Sequence, residues 1–220
     1  MIVYGSPLSP FFRKVAVCMA EKGLALEFVP AGLGRGGPDF VEASPFGKIP
    51  ALRDPGADAG KDFCVSDSSA IFTYLEAKQP EPSLLPSDPV ARARAIWFEE
   101  FGDTILFPVA AKAFFNRFVA PKVLKVAGDE AVAATAMETE LPPLLDYIEG
   151  VIPPSGYLVA DRFTIADIAV ASPLANLAYV GVAIDPARWP ILVAWLERIL
   201  ARPSFATSIA TEQQIVARFS

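Results

Sequence analysis

Short apolar runs alternate with amphipathic stretches over the first 80 residues of the chain. Runs rich in Val, Ile, Phe and Leu predict strands at residues 1–4, 26–30, 49–53 and 63–65. Helical spacing of apolar side chains predicts helices at residues 10–22 and 69–77, with a short helix or turn at residues 39–43. The order β-α-β followed by β-β-α predicts an α/β unit with a mixed sheet.

After residue 79 the strand pattern ends and helical spacing takes over. The segment 79–89 carries four prolines in eleven residues, which excludes a continuous helix and stiffens the connection. We therefore predict one domain at residues 1–79, a linker at 80–89 and an all-helical domain at 90–220. Within that domain, helices are predicted at residues 91–119 with a kink at Pro108, 129–150 with an interruption near Pro142, 189–202 and, weakly, 208–219.

A further helix is predicted to start after Thr164 and to run to about residue 179. Thr164 and Asp167 have the spacing of a capping box, in which each side chain accepts a hydrogen bond from the other residue's backbone N–H. We assign this box a role in folding and none in chemistry.

Composition narrows the classes of function. The chain has 220 residues, of which 53% are hydrophobic, and this is enough apolar material for a substantial core. A formal net charge of −6 argues against a nucleic-acid partner. No apolar run approaches the ~20 residues of a membrane span, and the amino terminus lacks the charged lead of a signal peptide, so we expect no membrane partner.

The chain contains no histidine, which removes imidazole ligands and His-based triads. Its two cysteines, Cys18 and Cys64, are not spaced as a redox pair and lie in apolar segments, so we interpret both as buried thiols in a reducing, cytoplasmic compartment. We expect no metal site. Chemistry must then use hydroxyls, carboxylates, backbone dipoles or the thiol of a bound ligand.

Two motifs point to such a ligand. The first, Ser44-Pro45-Phe46-Gly47-Lys48-Ile49-Pro50-Ala51-Leu52, turns a corner at Gly47 and enters a strand through Ile49 and Pro50. Pro50 donates no hydrogen bond and can be held in the cis form, so Ile49 can direct its backbone groups to an extended ligand. The second, Asp67-Ser68-Ser69-Ala70-Ile71, starts a helix whose N–H groups attract a ligand carboxylate.

Asp67 could also pair with a ligand ammonium, and Ser68 supplies a hydroxyl donor. Taken alone, the first motif is more often an ordinary strand entrance and the second an ordinary helix cap. Together they predict a site that holds a small peptide by its backbone and its carboxylate.

The two motifs, in this order and spacing and followed by Tyr74-Leu75-Glu76, resemble the cytosolic glutathione transferases. The resemblance is strong over roughly the first 80 residues and looser over the rest. It implies a thioredoxin-like α/β amino-terminal domain, an all-α carboxy-terminal domain, a homodimer, and glutathione as co-substrate without a metal. The implied activity is conjugation of the glutathione thiolate to a small hydrophobic electrophile in detoxification. The alternatives are a glutathione-dependent isomerase or dehalogenase, and a binding or interaction protein without turnover.

A serine-type member of this family needs a hydroxyl that activates the glutathione thiol. Ser9 precedes Pro10, a favoured first helical residue, and is the natural N-cap of the first helix, so we predict that Ser9 is catalytic. Ser6, in the preceding loop, is the alternative, and an ordinary cap is the non-catalytic reading of Ser9. Tyr4 falls inside the first strand and is predicted to be core.

The resemblance also implies the other contacts of glutathione. Lys48 would reach the glycyl carboxylate, unless it is a solvated turn lysine. Ile49, held by Pro50, would pair with the cysteinyl backbone, and Asp67 and Ser68 would hold the γ-glutamyl end. The residues predicted to line a hydrophobic substrate pocket are Leu8, Phe12, Phe107, Phe114, Phe115 and Phe118.

Overall fold

A computed structural model describes residues 1–219. The described chain divides into two compact units: the first is Met1–Leu84, and the second begins at Leu85. The division falls inside the proline-rich segment 79–89. The predicted order, an α/β unit followed by an all-helical unit, is confirmed.

The first unit follows the predicted β-α-β-α-β-β-α order. Its strands are β1 (Ile2–Gly5), β2 (Glu27–Pro30), β3 (Ala51–Asp58) and β4 (Lys61–Ser66). Its helices are α1 (Pro10–Glu21), α2 (Pro38–Ala43) and α3 (Ser68–Lys78). Gly23, which follows the end of α1, has φ of 67°, the left-handed conformation that commonly ends a helix.

The strands form one mixed sheet in the order β2-β1-β3-β4. β1 pairs in parallel with β2 and antiparallel with β3, and β3 pairs antiparallel with β4. The hairpin of β3 and β4 is longer than the predicted strands at residues 49–53 and 63–65. A register shift between Asp54 and Asp58 lets β3 continue through Pro55 and Gly56.

The core of the first unit lies between the sheet and its helices. Tyr4 is buried there and packs against Phe40, which confirms it as a core residue. Cys18 is fully buried on α1, as predicted, whereas Cys64 is half-buried because it sits at the margin of this core. Burial raises the pKa of the Cys64 thiol, and the Arg53 guanidinium opposes the shift.

The buried side chain of Lys22 connects α1 to α3 and to the segment that follows α3. Lys22, at the end of α1, forms an ion pair of 2.7 Å with Glu76 of α3. Its ammonium also donates to the carbonyls of Gln79 and Pro82 at 2.7 and 3.0 Å. Glu76 in turn accepts from the N–H of Leu84. The chain that leaves α3 is therefore held by charge-assisted hydrogen bonds up to Leu84.

All the regular secondary structure described in the second unit is helical. Its helices are α4 (Pro89–Glu100), α5 (Phe107–Phe114), α6 (Glu130–Thr135), α7 (Leu141–Val151), α8 (Ile165–Ala175), α9 (Pro190–Leu200) and α10 (Pro203–Ala217). Among residues 1–219 no helix is long and apolar enough to cross a membrane.

Prolines widen the long helices instead of breaking them. π-Helical stretches lie at Phe101–Leu106, Phe115–Leu124 and Ala136–Glu140. Pro108 and Pro142 each follow such a stretch closely, and Pro121 lies within one. Proline removes an N–H and crowds the carbonyl four residues back, and a wider turn relieves both effects. At both Pro108 and Pro142 the helix continues with a change of hydrogen-bonding pattern.

The predicted capping box at Thr164 and Asp167 is present at the start of α8. The fully buried Asp167 carboxylate also accepts from the N–H of Leu158 at 3.0 Å and from the indole of Trp195 at 3.1 Å. Burial raises the pKa of this carboxyl above its ordinary value, while the hydrogen bonds that it accepts oppose the shift. Asp167 therefore joins the loop before α8, α8 itself and α9.

Asp167→Ala should destabilise the protein by roughly 3 kcal/mol or more, because several buried donors lose their acceptor at once. Trp195→Phe removes only one of these donors and should cost about 1 kcal/mol from the lost hydrogen bond. Urea unfolding of both variants measures the difference. Equal losses for the two variants would show that the carboxylate is not shared in this way.

Candidate functional site

The register of the sheet brings three chain segments together at one edge, where β1 and β4 end and β3 begins. Tyr4 pairs with Ala51, and Ala51 pairs with Ser66. The loop after β1, the segment before β3 and the segment after β4 therefore start from neighbouring positions. These segments carry Ser6 and Ser9, Lys48 to Pro50, and Asp67 with Ser68.

The first motif forms a tight turn that leads into β3. Gly47 has φ of 68°, a conformation that glycine adopts without a steric penalty, and the predicted corner lies there. The hydroxyl of Ser44 donates to the carbonyl of Lys48 at 2.7 Å and closes the turn. The Ile49–Pro50 peptide bond is cis, and the carbonyl of Pro50 accepts the N–H of Asp67 at 3.3 Å. The two predicted motifs therefore meet through a direct hydrogen bond.

The second motif caps α3 in an unusual conformation. Asp67 has φ of 86°, which few residues other than glycine adopt, and it is exposed. Its Oδ1 accepts the N–H of Ser69 at 2.9 Å. Ser68, the first residue of the helix, is 3% exposed. The strained backbone persists because the cap and the bond to Pro50 hold it on both sides.

Ser9 is the N-cap of α1, as predicted, with Pro10 at the first helical position. Its Oγ accepts the N–H of Phe12 at 3.4 Å, a long hydrogen bond. A hydroxyl has two acceptor lone pairs and one donor hydrogen, so the cap leaves the hydrogen available. Ser6 lies one turn earlier, where its carbonyl accepts the N–H of Ser9 at 2.9 Å. Both serines are half-buried.

The remaining polar candidates lie on the approach to β3. Lys48 is exposed, as a solvated turn lysine would be and as a ligand contact would also require. Ile49 is half-buried beside the glycine-rich loop, where a Cβ on Gly32 would come within 2.9 Å of the Ile49 Cδ1. The glycine at position 32 therefore lets this loop close over the side chain of Ile49.

The apolar candidates divide into accessible and packed side chains. In the first unit Leu8 is half-buried, whereas Phe12 is buried under Gly5 and packs edge-on against Phe28. In the second unit Phe107 is half-buried and Phe115 is exposed.

Phe114 and Phe118 are buried and stack on each other with ring centroids 5.2 Å apart. Phe118 also meets Phe219 edge-on. Phe114 and Phe118 are therefore part of the core of the second unit.

Two features of the polar groups were not predicted. Arg13 and Lys14 are buried on α1, although charged side chains are seldom buried. The signal available in the sequence was a pair of cations inside an apolar helical run. Asn116 and Arg117 lie among the apolar candidates. The Oδ1 of Asn116 accepts the N–H of Asp129, and the guanidinium of Arg117 donates to Glu130, the first residue of α6.

Among residues 1–219 no group of three His, Cys, Asp or Glu side chains is arranged to hold a metal ion.

Known proteins resemble this chain over nearly its whole length. Residues 3–83 match the glutathione S-transferase N-terminal domain, and residues 106–203 match the glutathione S-transferase C-terminal domain. Glutathione S-transferase 3 of Zea mays is 35% identical over 215 residues, which cover 94% of this chain and 92% of that protein.

Two further relatives extend the comparison. A stringent starvation protein A homolog of Coxiella burnetii is 26% identical, over 97% of this chain and 93% of that protein. The crystal structure of a glutathione S-transferase from Rhodospirillum rubrum superimposes with a TM-score of 0.81 at 28% identity, over 93% of this chain and 89% of that chain.

Substitutions of Asp67 should separate its cap from its charge. Asp67→Ala removes the acceptor for Ser69 and should cost about 1 kcal/mol of stability. Asp67→Asn keeps an oxygen at that position and tolerates positive φ, so its stability should stay within about 0.5 kcal/mol of the original. Thermal unfolding measures both. A loss for Asp67→Asn as large as that for Asp67→Ala would mean that the charge, and not the cap, stabilises α3.

Proposed function

The chain belongs to the glutathione S-transferase family, and we propose that it conjugates the thiolate of glutathione to a small hydrophobic electrophile. Ser9 is the proposed thiol activator. Lys48, Ile49, Pro50, Asp67 and Ser68 are the proposed glutathione contacts. Glutathione enters as co-substrate, and the proposed chemistry uses no metal.

The hydrogen bond between Asp67 N–H and the Pro50 carbonyl carries the proposal. This hydrogen bond holds the residues that lead into β3 directly beside the start of α3, so one ligand could contact both. An extended peptide that pairs its cysteinyl backbone with Ile49 would present its γ-glutamyl end to Asp67 and Ser68. The N–H groups of the first turn of α3 favour the carboxylate of that end.

The start of α1 supplies the means to ionise the thiol. An unperturbed cysteine thiol has a pKa of about 8.5 and is mostly protonated at pH 7. A hydroxyl hydrogen bond to the thiolate contributes about 1.5–3 kcal/mol, and a helix N-terminus adds about 0.3–1 kcal/mol. The sum lowers the thiol pKa by roughly 1.5–3 units, enough to make thiolate the main species. Ser9 can supply this bond because its cap uses only an acceptor lone pair.

The second substrate is proposed to be apolar. Of the residues predicted to contact it, Leu8 in the first unit keeps accessible surface. In the second unit, taken by itself, Phe107 and Phe115 do so. Phe12, Phe114 and Phe118 are buried, so we propose that they act by packing beneath the accessible residues of their own unit and not by direct contact with the substrate. The same thiolate could also serve an isomerase or a dehalogenase.

A binding protein without turnover is the second candidate, because some proteins similar to this chain are named for other roles. One of them is the stringent starvation protein A homolog of Coxiella burnetii. Retention on immobilised glutathione, followed by conjugation of chlorodinitrobenzene and a panel of other electrophiles, separates the two candidates. Binding with no turnover across the panel would favour the second, and no binding would overturn both.

Two further properties are proposed from the family. We propose a cytoplasmic homodimer in which the reducing compartment keeps glutathione as the free thiol. Closed two-fold pairing is the commonest way for such a protein to cover apolar surface. Sedimentation should give about twice the 23.5 kDa mass of the chain at micromolar concentration, and a monomer would count against the proposal.

Ser9→Ala should lower conjugation at pH 7 by about tenfold or more, since the thiolate loses a charge-assisted hydrogen bond of roughly 1.5–3 kcal/mol. The pKa of the bound thiol should rise by roughly 1–2 units, so the rate should partly recover at alkaline pH. Glutathione affinity should change much less, because the contacts at Ile49 and Ser68 remain. The measurement is the pH profile of conjugation, with affinity obtained by calorimetry.

Ser6→Ala is the matched control for this prediction. It removes a neighbouring half-buried hydroxyl but leaves the N-cap of α1 in place. If Ser9→Ala keeps full conjugation while Ser6→Ala loses it, the catalytic role belongs to Ser6. Because Ser9→Ala also removes the cap, its unfolding must be measured, with an expected loss of about 0.5–2 kcal/mol.

A further inference from the structure

The guanidinium of Arg53, on β3, bonds two different elements at once. Its Nη1 donates to the carboxylate of Asp62 on β4 at 2.9 Å. Its Nη2 donates to the carboxylate of Glu42 at 2.6 Å and to the carbonyl of Asp39 at 3.2 Å, and both of these residues belong to α2. The side chain of Arg53 is 11% exposed, so water screens these charge-assisted bonds only in part. Arg53 therefore fastens α2 to the hairpin of β3 and β4.

α2 depends on such contacts because it is short and lies between flexible segments. Six residues are too few for a helix that is stable by itself. The loop before it carries four glycines among residues 32–37, and Gly47 follows soon after its end. Within the helix, Phe40 and Ala43 are buried. Their packing holds one face of α2, and the bonds from Arg53 near its start and near its end fix its direction on the sheet.

The end of α2 is joined directly to the proposed glutathione contacts. The N–H of Ser44, the C-cap residue, donates to the carbonyl of Phe40 at 2.8 Å. The hydroxyl of Ser44 donates to the carbonyl of Lys48 at 2.7 Å. Ile49 packs against the core cluster that contains Phe40 and Ala43. A displacement of α2 would therefore move Lys48 and Ile49 as well.

We propose that Arg53 is a positioning residue of the glutathione site, which holds α2 on the sheet so that Lys48 and Ile49 keep their places for the ligand. This inference rests on the proposed function, because it assigns a determinant to the same site. Ser9 caps α1, whereas the bonds described for Arg53 go to α2 and β4. Loss of these bonds should therefore weaken glutathione binding and leave the ionisation of the bound thiol unchanged.

The test separates the two carboxylates that share this guanidinium. Glu42→Ala removes the side-chain bond to α2. Asp62→Ala, the matched control, removes the bond to β4 and also the acceptor for the N–H of Gly56, so it breaks at least as many hydrogen bonds. Calorimetry gives the Kd of glutathione for both variants, for Arg53→Met and for the unmodified protein, and urea unfolding records their stability.

Glu42→Ala should weaken glutathione binding by about fivefold, the upper end of what one exposed ion pair contributes. Asp62→Ala should keep the Kd within about 1.5-fold, since the strand ladder already joins β4 to β3. Arg53→Met, which loses all three bonds, should weaken binding by about tenfold. In each variant the pH profile of conjugation should keep its apparent pKa, which a general distortion of the site would move.

Ser44→Ala tests the route from α2 to the site, because it removes the bond to the carbonyl of Lys48. In that background, Glu42→Ala should weaken binding by less than it does in the unmodified protein, since both changes release the same segment. Fully additive effects would contradict this route.

Three results would overturn the inference in distinguishable ways. If the unmodified protein binds glutathione and Glu42→Ala keeps its affinity, Arg53 has no positioning role and the proposed function stands. If Glu42→Ala and Asp62→Ala weaken binding equally, Arg53 serves only the stability of the unit. If the unmodified protein does not bind glutathione, the proposed function itself fails and the inference fails with it. Should Arg53→Met fail to fold, the comparison of Glu42→Ala with Asp62→Ala decides by itself.

Discussion

The register of β3 between β1 and β4 is the constraint on which the proposed site depends. Tyr4, Ala51 and Ser66 are neighbours across three strands, so the residues that follow or precede them leave the sheet side by side. A slip of β3 by one residue would turn the buried side chain of Leu52 to the other face and separate Pro50 from Asp67. The core on both sides of the sheet resists this slip. Burial of apolar side chains therefore fixes the geometry of loops that are themselves polar and partly exposed.

Backbone dipoles add to the charged side chains at this edge, and no imidazole does, because the chain contains no histidine. α1 and α3 both start there, and each N-terminus contributes only about 0.3–1 kcal/mol toward an anion. Such a contribution becomes useful when it is combined with a hydroxyl that is already in place. The Ser9 hydroxyl is held by its cap on Phe12, so it would need little further ordering when a ligand binds. In the proposed function, these weak preorganised groups stand where other enzymes use one strong catalytic side chain.

Local patterns predicted the parts of the fold that depend on neighbours in the sequence. The helix start at Ser9 and Pro10, the corner at Gly47 and the box at Thr164 and Asp167 all lie where predicted. Features that depend on contacts between distant segments were not predictable in this way. The burial of Lys14 requires α3, and the additional bonds to Asp167 require Leu158 and Trp195. The extension of β3 past Asp54 also depends on its partner strand, since the predicted strand ended at residue 53.

The two acidic caps of the chain differ in exposure and in the use of their oxygens, as expected if only Asp67 has the proposed contact with a ligand. Asp167 is fully buried, and both of its oxygens accept hydrogen bonds from the protein, so it has no capacity left for a ligand. Asp67 is exposed, uses Oδ1 on Ser69, and keeps a backbone conformation that its cap alone does not require. Most helices are capped without positive φ at the N-cap residue, which ordinarily lies in the extended region. The strain at Asp67 is therefore best explained by the need to place a carboxylate and the start of α3 beside Pro50 at the same time.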